Sequence, residues 1–93
     1  MVVGLLTIEC HLPMARSLKD KRMVIRGVRD RLTRFNVAVA ETEHQDVWQR
    51  AGLAIVTVAA TEALAGRELA AVLDEIDRRE PGLVIRSDLE FLG

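Results

Sequence analysis

Residues 2–12 alternate along the chain. Leu6, Ile8, Cys10 and Leu12 share one side, and Thr7, Glu9 and His11 the other, the two-residue period of a strand covered on one face. Pro13 ends the run, because proline cannot donate the next ladder bond. The period then lengthens. Leu18, Ile25, Val28, Leu32 and Phe35 recur at helical spacing. Ser17 with Asp20 three residues on forms a capping box with Asp in the place of Glu. This predicts a helix from residue 17 to about residue 35, with Lys19, Arg22, Arg26 and Arg29 along its outer side.

Residues 37–43 have the composition of a second strand. Asp46 and Gln49 stand at capping-box spacing around Val47 and Trp48, which predicts a single helical turn between two antiparallel strands. Residues 53–60 are almost continuously apolar, as in a central strand buried on both faces. Thr61 is placed to cap a second helix ending near Arg79, with Leu69, Val72, Leu73 and Ile76 inward. Pro81 and Gly82 turn the chain into a last strand, 83–91. Its Leu83, Ile85, Leu89 and Phe91 are expected inward, with Arg86, Asp88 and Glu90 outward.

Strand-helix-strand-strand-helix-strand predicts an α+β fold: a ferredoxin-like βαββαβ two-layer sandwich, one domain over 1–93, with both helices on one face. The expected sheet is antiparallel in the order 4-1-3-2, although right-handed crossovers suggest that strands 1 and 3 run parallel at its centre. Leu5, Thr7, Leu53, Ile55 and Thr57 are assigned to the helix-free face. An open, partly apolar face on a domain with little core area calls for a cover, so these residues are the expected interface of a homodimer.

Charge changes this picture locally. The chain carries a net −1, with no overall pull towards nucleic acid or membrane. Between residues 16 and 34, however, Arg16, Lys19, Lys21, Arg22, Arg26, Arg29, Arg31 and Arg34 stand against only Asp20 and Asp30. Lys19, Lys21, Arg22, Arg26 and Arg29 are therefore the candidate phosphate contacts of a nucleic-acid-binding face. The competing explanation is a solvated stripe paired with acids of the second helix or of another subunit. One cysteine excludes an internal disulfide. With neither a signal-like start nor a membrane-length apolar run, a cytoplasmic location is expected.

Other candidate chemistry is thinner. Glu41, Glu43, His44 and Asp46 lie close in sequence, but metal sites need convergent ligands, and Asp46 is better employed as a cap. Cys10 and His11 project to opposite faces of a strand and cannot form a nucleophile-base pair. Trp48 reads as an anchor of its connection or an interface residue, with Gln49 and Arg50 fixing the turn. No catalytic residue, metal or cofactor is expected. An RNA-recognition motif is excluded by the lack of central strand aromatics, a KH module by the lack of GXXG, and metallochaperone chemistry by the lack of CxxC.

SLKDKR at 17–22, FNVAVAE at 35–41 and HQDVWQRAGLA at 44–54 resemble the YlxP-like family of small bacterial proteins of unknown function, and the likeness spans the chain. The resemblance implies a ferredoxin-like fold. In many bacteria genes of this family lie near those for transcription elongation and translation initiation factors and a ribosome-maturation factor, which implies RNA or ribosomes as the setting. It supplies no catalytic residues. The combined expectation is a non-enzymatic binding protein that meets structured RNA or a ribosomal particle through helix 1, without DNA specificity. The alternative is a structural or regulatory homo-oligomer built on the open sheet face.

Overall fold

Ser17 opens the first helix as its spacing predicts. Its backbone is extended, and its Oγ accepts the Asp20 amide at 3.0 Å while Asp20 Oδ2 accepts the Arg16 amide at 2.9 Å. Thr61 caps the second helix in the same way, accepting the Leu64 amide at 3.2 Å. The computed structural model describes Met1–Gly93 and runs β1 (Val2–His11), α1 (Leu18–Leu32), β2 (Ala38–Glu43), β3 (Arg50–Ala59), α2 (Glu62–Arg79) and β4 (Val84–Leu92). The first helix is shorter than its apolar spacing suggests, because Thr33 caps it and its amide bonds back to the Asp30 carbonyl. No helix is long and apolar enough to cross a membrane.

The sheet order is β2-β3-β1-β4, and every neighbouring pair is antiparallel. The expectation that the two central strands run parallel is therefore wrong. Each helical crossover does join parallel strands, but the strand inserted between them belongs to the other half and runs the opposite way.

Register decides which side chains make the core. Leu6 faces Ile55, Ile8 faces Leu53, Cys10 faces Ala51 and Gly4 faces Thr57, all on the side covered by helices. Against them α1 packs Ile25, Val28 and Leu32, and α2 packs Leu69, Val72 and Ile76.

Leu53 and Ile55 are fully enclosed and Thr57 nearly so, with its Oγ1 donating to the Asn36 carbonyl at 2.6 Å. All three belong to the core and not to the helix-free face. The expected phase of β3 is off by one residue, and a one-residue slip turns every side chain of a strand over. The open face instead carries Val3, Leu5 and Thr7 of β1, Ala54, Val56 and Val58 of β3, and Glu90 and Leu92 of β4. Gly4 lets α2 approach closely, since a Cβ there would lie 2.9 Å from Leu69 Cδ1.

On β4, Leu83 is buried just before the strand, but Ile85 is exposed. The ladder steps from Glu9–Arg86 to Cys10–Val84, leaving Ile85 unpaired in a bulge. Leu89 pairs with core residue Leu6 yet stays exposed on this edge strand. On α2, Glu75 is buried and held by Arg78 and by Arg34 at 2.9 Å. The hydrogen bond from Arg78, outweighing desolvation and helped by the Arg34 charge, holds its carboxyl below the usual glutamate range.

The two faces should separate cleanly by mutation. Ile55→Ala should lose about 2–5 kcal/mol in urea unfolding, and Leu5→Ala clearly less. Equal losses would contradict this assignment of faces.

Candidate nucleic-acid interface

Lys21, Ile25, Val28 and Leu32 form the buried stripe of α1. Lys21 is therefore not a phosphate contact: it is only 1% exposed. Its stem crosses the core edge and its Nζ donates to Glu41 Oε2 at 2.9 Å, to the His44 carbonyl at 2.8 Å and to the Gln45 carbonyl at 3.2 Å. A longer contact, 3.4 Å, reaches the Arg50 carbonyl. Three residues after Leu18 and four before Ile25, Lys21 stands in the apolar phase of the helix, and that phase is the signal the sequence offers.

The connection held by this ammonium is an irregular turn and not the expected helical one. His44 takes φ 62°, the left-handed region that a non-glycine residue enters at some cost, and its carbonyl accepts the Val47 amide at 3.0 Å. Asp46 is exposed and no helix starts beside it, so it is no N-cap. Gln49 does fix the turn: its Nε2 donates to the Pro13 and Ala15 carbonyls at 3.2 and 3.3 Å, and its own carbonyl accepts the Leu12 amide at 2.8 Å. Trp48 is half-buried, with 51% of its surface exposed. Gly52 is required here, because a Cβ on it would fall 2.5 Å from Glu43 Cβ.

On the open face beside this turn, Glu9 Oε2 lies 3.1 Å from both His44 Nε2 and Arg50. Neither group is aligned to hydrogen-bond that buried oxygen. Cys10 points to the opposite face, and burial, reinforced by Glu9 and Glu41, pushes its thiol up to about 12. It stays protonated and inert as a nucleophile near neutral pH. No three His, Cys, Asp or Glu side chains converge as metal ligands.

Lys19, Arg22, Arg26 and Arg29 are all exposed on α1, spread over about 15 Å of rigid helix. They do not all share one role. Arg29 donates to the Val39 carbonyl of β2 at 2.7 Å. Lys19, Arg22 and Arg26 form no ion pair, and the Glu75 carboxylate of α2 is taken by Arg34 and Arg78 instead. The stripe is thus cationic and without an acidic partner inside the chain.

These features define a small ferredoxin-like protein whose first helix presents unpaired cations. The chain belongs to the family described as "Protein of unknown function (DUF503)", whose model matches residues 3–88. It is 36% identical over 77 residues to the "Uncharacterized protein YlxP" of Bacillus subtilis (strain 168), covering 82% of this chain and 84% of that one.

Solved structures share the fold alone. The cofactor-independent oxygenase SnoaB from Streptomyces nogalater superposes with a TM-score of 0.57 at 12% identity, covering 99% of this chain and 91% of its own. The de novo designed protein LFR1 1, with a ferredoxin fold, gives 0.51 at 14% identity, covering 99% and 83%. The designed Ferredog-Diesel gives 0.54 at 14% identity, covering 98% and 84%.

Lys21→Met should cost about 3–5 kcal/mol in urea unfolding, because Glu41 and the turn carbonyls lose their buried charged donor. A loss below about 1 kcal/mol would show that the ammonium is not what holds the turn.

Proposed function

We propose that this is a non-enzymatic binding protein that contacts the phosphate backbone of structured RNA, free or within a ribosomal particle, through Lys19, Arg22 and Arg26 of α1. The observation that carries this reading is the absence of any internal ion pair on those three exposed side chains. Cations at helical spacing displace counterions from a polyanion without reading its sequence. Selectivity then lies in the shape of the RNA. Because the whole chain has a net charge of −1, attraction is confined to this face, and binding should weaken steeply with salt.

Replacing Lys19, Arg22 and Arg26 together by Gln should weaken binding to a labelled RNA duplex, followed by anisotropy. The salt slope should flatten by about 2–3 units. Unchanged affinity and slope in a variant with wild-type circular dichroism reject α1 as the RNA surface.

A second reading concerns assembly and is compatible with the first. Val58 and Leu92 are 52% and 49% exposed on the helix-free face, beside Val3, Leu5 and Val56. We propose that two copies cover these residues sheet to sheet, leaving both α1 helices outside. Leu5 and Thr7 remain in this interface, whereas Val56 and Val58 take the places expected for Leu53, Ile55 and Thr57. Light scattering should find a dimer at high micromolar concentration that dissociates on changing Leu5 and Val56 to Lys. A monomeric wild type rejects it.

A further inference from the structure

Trp48 is the only tryptophan in the chain. It is half exposed, beside Val47, which is 43% exposed. A large amphipathic ring left in water is a ready contact for a partner, and the backbone around this one is already fixed. The Val47 amide is bonded to the His44 carbonyl, and the Gln49 carbonyl to the Leu12 amide. Lys21 grips the carbonyls of His44, Gln45 and Arg50 on either side of it. The turn that carries the ring is therefore ordered before any ligand arrives, which lowers the entropic cost of contact.

The position of this turn matters as much as its rigidity. Lys21 lies between Lys19 and Arg22 in the first turns of α1 and reaches the turn directly. Gln49, next to Trp48, is bonded to Ala15, two residues before the helix cap. The turn that carries the indole thus lies beside the N-terminal end of α1, where Lys19 and Arg22 begin the unpaired cations. Cations along a helix suit phosphates, whereas an aromatic face suits the π-face of a base that is free of its partner.

We infer that Trp48 is a stacking platform for an unpaired nucleobase adjoining the RNA stem whose phosphates lie along α1. This rests on the RNA reading of α1 and narrows it to a stem with an unpaired end or loop. Stacking is tolerant of base identity, so the site selects the junction and not a sequence.

Two RNAs test it: a blunt stem, and the same stem with a short unpaired tail. Anisotropy of an end label reports binding, and emission of Trp48, the sole indole, reports stacking. Both RNAs should bind, and only the tailed one should change the emission. Trp48→Ala should weaken the tailed RNA about tenfold and leave the blunt stem unchanged. Binding of the tailed RNA without a change in emission, or with unchanged affinity in Trp48→Ala, overturns the stacking platform while α1 keeps its role. Failure of both RNAs to bind removes both readings. Emission already shielded from acrylamide in the free protein, and increasingly so with concentration, assigns Trp48 to a contact between copies and overturns the proposal.

Discussion

The buried ammonium of Lys21 is the constraint around which one end of the molecule is arranged. A charge withdrawn from water must be met by acceptors with good geometry. Here they come from three separate stretches of chain: Glu41 on β2, the carbonyls of His44 and Gln45 in the turn, and the carbonyl of Arg50 opening β3. To turn its carbonyl inward, the chain passes through a left-handed residue at His44. The β2–β3 register shifts between Glu41 and Glu43, and Glu43 then sits over Gly52. A helix, two strands and their connection are tied together by a single side chain.

The cations of the basic segment consequently divide into different kinds of work. Lys21 organises the interior, Arg29 reaches across to the neighbouring strand, and Arg34, just beyond the helix, joins Arg78 on Glu75. Lys19, Arg22 and Arg26 form no ion pair within the chain. A run that looks uniform in the sequence is thus divided by the fold, and the charge count alone overstates the face available to a polyanion.

Element order and both helix caps are legible in the sequence because period, proline and capping residues act locally. The phase of β3 is not. From Leu53 to Ala60 both parities are apolar apart from Thr57, and the hydroxyl that suggests an outward position is satisfied inside by Asn36. Lys21 reads as a surface residue by its charge, although a long apolar stem allows a lysine to enter a core when acceptors await it. The spacing of Asp46 and Gln49 resembles a cap, but Lys21 and Gln49 hold the turn by bonds to residues distant in sequence. The Ile85 bulge has no sequence mark at all. The half-exposed state of Trp48 likewise has no mark in the sequence.

The bond from Arg29 to the Val39 carbonyl has a consequence for how copies of this protein can meet. β2 is one border of the sheet, and its outward backbone groups would otherwise offer a template to a strand from another molecule. The guanidinium occupies part of that border, while at the other border the Ile85 bulge interrupts the ladder and Arg86, Asp88 and Glu90 line β4 with charge. Growth strand by strand into a continuous ribbon is discouraged at both ends.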